Sequence, residues 1–151
     1  MTRGRDGVQG RAILWRGGSG RLNVRKFEDS NEQDVDALLG SLKMGIKNKW
    51  LISKNGPLNN GKLSFAMKYS IIEPGKFYPM HPSEHTEATF VVDGTGIIMN
   101  DKEEFEIKTG DLILTHCGEM HAIRNSGQTD LKTLSCIDLM SHENDTDLSP
   151  S

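Results

Sequence analysis

Four of the five histidines in the chain, His81, His85, His116 and His121, fall between Met80 and Asn125. The stretch opens with Met80-His81-Pro82-Ser83-Glu84-His85-Thr86-Glu87 and closes with His116-Cys117-Gly118-Glu119-Met120-His121 before Asn125. Side chains alternate faces along an extended segment, so His81, Ser83, His85 and Glu87 share one face if this segment is extended. If the chain bends between Pro82 and Glu84 instead, His81 and Glu87 can converge from the two sides of the bend. A strand over about 111–115 with a turn at Gly118 would bring His121 to the same interior. Two imidazoles and a carboxylate meeting there suit a divalent transition metal, most typically non-haem Fe(II) with open coordination positions. A lone histidine is as often a surface or hydrogen-bonded core residue, so the set His81, Glu87 and His121 carries the metal reading and no single member does.

The spacing around these residues resembles the two motifs of the cupin superfamily. In the first motif a glycine is followed by five residues, His-x-His, three or four residues, Glu, six residues and Gly. In the second a glycine is followed by five residues, Pro-x-Gly, two residues, His, three residues and Asn. Here Gly75 precedes His81 by five intervening residues, and Glu87 precedes Gly94 by six. Gly110, five residues, His116-Cys117-Gly118, two residues, His121, three residues and Asn125 follow the second pattern. Ser83 stands where the second histidine of the first motif belongs, and His116 stands where the proline does. The resemblance covers about 51–139. It implies an all-β fold, a small jelly-roll β-barrel, and a metal role for His81, Glu87 and His121 with Fe, Mn, Ni or Zn as the ion. The superfamily includes dioxygenases, decarboxylases, isomerases, lyases and non-enzymatic sensors, so the fold does not choose the function. Met80-His81, His85 and Glu87-Ala88 are also locally similar to ectoine synthase, a cupin hydro-lyase. That similarity implies an active-site part for His85, although the tyrosine used there as a metal ligand has no counterpart near Ile113.

The rest of the chain reads as the frame for this site. Leu63, Phe65, Met67, Tyr69 and Ile71 alternate with small or polar residues at the period of a half-buried strand, which puts Phe65, Met67, Tyr69 and Phe90 in the core. Phe90-Val91-Val92 and Gly96-Ile97-Ile98-Met99 flank Asp93-Gly94, a tight hairpin signal. Asn100-Asp101-Lys102 and Thr109-Gly110-Asp111 mark further turns, and Leu131, Leu134, Cys136, Ile137 and Leu139 suggest closing strands. Near the start, Ser30-Asn31-Glu32-Gln33 has the form of a capping box, with Val35, Leu38, Leu39 and Leu42 at helical spacing behind it. A short N-terminal helix over about 34–42 is therefore predicted outside the barrel. Trp50-Leu51-Ile52 predicts a buried or edge strand.

The chain's 151 residues are one domain's worth. Residues 1–22, rich in Gly and Arg, read as a flexible arm; 23–140 as the barrel domain; and 141–151 as a disordered acidic tail. The net charge of −3 argues against nucleic acid as a partner despite the basic arm, and no apolar run is long enough to span a membrane. Two cysteines, Cys117 and Cys136, fit a reducing, cytoplasmic setting, with a bridge between them left open. A homodimer is expected, because cupin-like barrels pair through sheet edges that the Trp50 strand and the apolar Ala12-Ile13-Leu14-Trp15 could cover. The functional expectation is a metal-dependent enzyme of cupin type, a lyase, isomerase or dioxygenase acting on a small polar organic acid or related metabolite. The alternative is a non-catalytic cupin that binds or senses a small ligand, and a third reading is an interaction module using the arginine-rich arm.

Overall fold

The computed structural model describes residues 26–34, 45–55, 59 and 62–140. After a 3-10 turn at Phe27–Asp29 come ten strands: β1 (Asn31–Asp34), β2 (Ile46–Ile52), β3 (Phe65–Ile72), β4 (Phe77–Pro82), β5 (Glu87–Asp93), β6 (Thr95–Met99), β7 (Glu104–Lys108), β8 (Leu112–Thr115), β9 (Met120–Asn125) and β10 (Leu131–Asp138). They form two antiparallel sheets, one of six strands in the order β1-β2-β3-β10-β5-β8 and one of four in the order β4-β9-β6-β7. This is the small jelly-roll barrel that the cupin resemblance implies. Among the described residues no helix is long and apolar enough to cross a membrane, and both cysteines are free thiols.

Several sequence expectations change in the folded chain. Asn31–Asp34, the body of the apparent capping box, is a strand paired with Lys47–Trp50. Ser30 closes the preceding 3-10 turn through its N–H to the Phe27 carbonyl at 3.1 Å, and its hydroxyl finds no partner among the described residues. A neighbouring strand satisfies every second backbone group of this segment, which outweighs the local capping signal. The rest of the expected helix, like the arm and the tail, lies outside the described residues. Strand β2 is flanked by β1 and β3, so of the two alternatives for Trp50-Leu51-Ile52 the interior strand is the one formed.

Asp93-Gly94 is a crossover, not a hairpin: β5 pairs with β10 and β8, whereas β6 pairs with β7 and β9 in the other sheet. Gly94 has φ +95°, and a Cβ there would meet the Asp130 carbonyl oxygen at 2.7 Å. Only glycine lets the chain leave one sheet for the other at this point.

The core lies between the sheets and is made by Ile46, Ile72, Val91, Ile107 and Leu131, with Tyr78, Ile98, Ile113 and Ile123 packed against it. The inner face of the larger sheet changes character along its strands. Ile46, Ile72 and Leu131 lie side by side at one end. Asn48, Ser70 and Thr133 form the next row, then Lys68, Ser135 and Thr89, and then Ile137 beside Glu87. In β3 the buried residues are therefore Ala66, Ser70 and Ile72, while Met67, Tyr69 and Ile71 take the outer face. The periodicity was that of a strand, but the face assigned to the core was the opposite one. Phe90, expected in the core, is likewise exposed, opposite Leu112.

Candidate metal centre

The polar rows line a cavity of about 90 Å³, whose wall includes Lys68, Tyr78, His81, Glu87, Thr89, His121 and Ser135. Strand β4 delivers His81, and it does so through an irregularity. Tyr78 lies opposite Ile123 and His81 opposite His121, so three steps on β4 match two on β9. In a regular strand, residues three apart face opposite sides; the bulge at Pro79-Met80 turns both Tyr78 and His81 to the cavity. Their rings lie 5.4 Å apart. Proline at 79 has no N–H to lose from the ladder, which suits it to this position.

His81 and His121 face each other across the β4–β9 pair with ring centroids 4.5 Å apart. Each ring is oriented by a backbone carbonyl two residues earlier: His81 Nδ1 to Pro79 O at 2.8 Å and His121 Nδ1 to Glu119 O at 3.3 Å. A carbonyl only accepts, so Nδ1 carries the proton and the bare lone pair of each neutral imidazole is on Nε2. Burial lowers the pKa of His121, and His81 and Lys68 push it the same way, against the opposing pull of the Glu119 carbonyl and Glu87.

Glu87 enters the cavity at the start of β5, on the far side of the loop that leaves β4. The chain does bend between His81 and Glu87, the second of the two geometries the sequence allowed. Lys68 Nζ stands 3.4 Å from Glu87 Oε1, and Thr89 Oγ1 donates to the same oxygen at 3.3 Å. Burial alone would raise the pKa of Glu87. The Lys68 ammonium and hydrogen bonds from Ser135, Lys68 and Thr89 together outweigh it, so the carboxyl titrates below its ordinary value.

The donors fit a divalent metal in kind, being two imidazole nitrogens and a carboxylate in one cavity. Two of the three are already side by side, while Glu87 is held by Lys68; among the described residues no three His, Cys, Asp or Glu side chains stand close enough to share one ion. Ser83 is not in a position to supply a fourth donor. It is buried, and its hydroxyl donates to the His85 carbonyl at 2.5 Å. Its N–H reaches the Glu119 carbonyl at 2.9 Å, and its own carbonyl takes the Gly118 N–H at 2.8 Å. Serine here ties the β4–β5 loop to the β8–β9 turn. His85 stands on that loop, half-buried, and is not among the residues lining the cavity. His116 and Cys117 lie on the opposing turn, where the Cys117 N–H reaches Thr86 Oγ1 at 3.3 Å.

Lys68, Tyr78, Thr89 and Ser135 are functional candidates that sequence reasoning passed over. For Lys68 the signal was present, as a polar residue alternating with large apolar ones in β3, but it fell on the face not assigned to the core.

The Cupin domain family matches residues 68–137. The oxalate-binding protein of Thermotoga maritima is 34% identical over 91 residues, which are 60% of this chain and 73% of that protein. The chain belongs to the cupin superfamily. Among solved structures, this cupin is similar to a predicted oxalate decarboxylase from Thermotoga maritima, with 28% identity, a TM-score of 0.55 and coverage of 63% of this chain and 81% of that one. The polyketide cyclase RemF from Streptomyces resistomycificus shares the fold at 14% identity, with a TM-score of 0.61 over 80% of this chain and 81% of that one.

The two shifted groups make the metal-free cupin sensitive to acid. Unfolded His121 takes up a proton near its ordinary 6.5, whereas the folded ring resists it. Between the two values the unfolded chain binds more protons, so stability rises with pH and falls on acidification. Glu87 adds a second loss as pH drops below its ordinary 4.5 and through its lowered folded value. The Tm of metal-free protein should thus decline from pH 7.5 to 5, by a few degrees more in the wild type than in His121→Asn. Parallel curves for the two proteins would dismiss the contribution from His121.

Proposed function

We propose that this cupin binds a small dicarboxylate of the oxalate class at a divalent metal held by His81, His121 and Glu87. The reading rests above all on the facing imidazole pair, whose Nδ1 atoms are engaged by backbone carbonyls and whose Nε2 atoms are left as ligands at a cavity shared with Glu87 and Lys68. Metal-binding histidines are commonly oriented through the other ring nitrogen in this way. When bound, the metal supplies Lewis-acid attraction for carboxylate oxygens. Around it, Lys68 and the hydroxyls of Thr89 and Ser135 supply an ammonium and donors, and Ile98, Ile113 and Ile123 limit the entry of water. A cavity of about 90 Å³ suits a ligand of few non-hydrogen atoms. The sequence similarity to a protein named for oxalate binding supports the same class.

Titration of the purified protein with Mn²⁺ and then with oxalate tests this. About one metal per chain is expected, with oxalate binding only to the loaded protein; oxalate binding undiminished by a chelator, or no metal binding, would end the proposal.

Turnover of the same acid as a lyase, in which oxalate takes up one proton and splits into carbon dioxide and formate, is favoured by one observation. Asn48 Nδ2 donates to the Tyr78 hydroxyl at 3.3 Å, which leaves the phenolic proton free for another acceptor at the cavity wall. Carbon dioxide released from oxalate by Mn²⁺-loaded protein, and lost in Tyr78→Phe, would establish that reading. His85 takes part only if its loop carries the ring inward, and His85→Ala should leave oxalate affinity unchanged.

The assembly that goes with this function is a homodimer formed through the outer face of the larger sheet. Phe90, Leu112 and Leu114 are 42%, 67% and 57% exposed there on adjacent strands, an apolar patch of the kind that marks an interface. Light scattering should give twice the chain mass for the wild type and half that value for Leu112→Glu; a monomeric wild type would refute the pairing.

A further inference from the structure

Lys68 is out of place in a site that only had to hold a metal. It projects from β3 between Ser135 of β10 and Trp50 of β2, with Nζ 5.9 Å from the Trp50 ring centroid and 3.4 Å from Glu87 Oε1. Its side chain is only 17% exposed, and that of Glu87 19%. An ammonium beside the carboxylate competes with any cation for the same oxygen. Buried charged groups of this kind cluster where ligands are bound.

We propose that Lys68 is the specificity-determining residue for the acid: it holds Glu87 while the site is without metal, and metal binding frees it to take one carboxylate of the ligand. The inference rests on the metal and dicarboxylate reading above. A divalent ion on Glu87 repels the ammonium and removes its partner, and the lysine's four-carbon stem lets Nζ swing while its base stays fixed in the sheet. The imidazoles bind as neutral ligands. Metal, ammonium and one carboxylate then leave the cavity with two net positive charges, which a dicarboxylate dianion cancels and a monocarboxylate does not. Thr89 and Ser135, joined through their hydroxyls at 2.9 Å, flank the path along which Nζ moves.

The test compares wild type with Lys68→Met and Lys68→Arg by calorimetric titration with Mn²⁺ alone, and then with oxalate and with formate on the loaded proteins. Lys68→Met should bind Mn²⁺ about tenfold or more tightly, because Glu87 is no longer occupied, and oxalate about tenfold or more weakly, with its advantage over formate lost. Lys68→Arg should keep the preference for oxalate. Unchanged or weaker Mn²⁺ binding in Lys68→Met, or unchanged oxalate preference, would overturn the role of Lys68 while leaving the metal site standing. Wild type that binds neither Mn²⁺ nor oxalate would overturn the parent reading and this one with it. The rise in Tm on adding Mn²⁺ gives a second measure, expected to be larger in Lys68→Met than in wild type, because there the metal relieves a buried carboxylate that has lost its partner.

Discussion

His121→Ala is expected to abolish stoichiometric binding of Mn²⁺, Fe²⁺, Ni²⁺ or Zn²⁺, lowering affinity at least about a hundredfold, while the barrel still folds. Removing even a group that only orients a metal ligand costs about 10–100-fold, so removing a ligand itself costs more. Ser83 cannot compensate, because it lies in the β4–β5 loop and does not line the cavity. The fold should survive because the core is built from Ile46, Ile72, Val91, Ile107 and Leu131, none of which depends on the imidazole. Metal content by elemental analysis, set beside circular dichroism, reads both outcomes, with His142→Ala as a control expected to change neither. Full metal occupancy in His121→Ala would remove the site from this pair of strands altogether.

The largest loss of stability is expected at Asn125, a residue with no part in ligand binding. Its side chain is 1% exposed. Its Nδ2 donates to the carbonyls of Ile72 and Thr129, both at 2.8 Å, and its Oδ1 accepts the Gly127 N–H at 2.9 Å. Asn125 thereby clamps the end of β9 to the end of β3 and to the turn before β10. Asn125→Ala leaves these buried groups unpaired, at about 1–3 kcal/mol for each one that water does not reach. A loss of about 3 kcal/mol overall, or roughly 10–20 °C in Tm, is the expected result. Asn125→Asp, which keeps the shape but turns a carboxylate toward two carbonyls, should be at least as damaging. If both variants melted within a couple of degrees of wild type, the clamp would contribute nothing measurable.

Much of this cupin was legible in its sequence because the relevant signals are local. Alternation in Phe65–Ile72 announces a strand, the apolar residues of Leu131–Asp138 suggest another, and the glycines at 75, 94, 110 and 118 announce turns; each of these glycines has positive φ in the fold. The spacing of His81, Glu87 and His121 to those turns put the three residues into one candidate site, and the fold lines a single cavity with all of them. The asparagine that ends the second motif could be located from spacing, but its role as a clamp could not, since its partners are supplied by Ile72 and Thr129.

What the sequence could not determine was decided by pairing between distant strands. Period-two alternation shows that a strand has two faces, not which of them looks inward, and the usual rule that the apolar face is the buried one fails where a barrel keeps a polar interior. Lys68 and Ser70 fell on the non-core face of that reading for this reason, and the outer Met67, Tyr69 and Phe90 were read as core. Asp93-Gly94 looks like a hairpin because the local chain cannot indicate that β5 and β6 will join different sheets. The bulge at Pro79-Met80 reverses the parity that would separate Tyr78 from His81, and it exists only in register with β9. The Lys68–Glu87 pair joins residues of β3 and β5 that never pair directly. They meet because β10 lies between those strands and sets both registers.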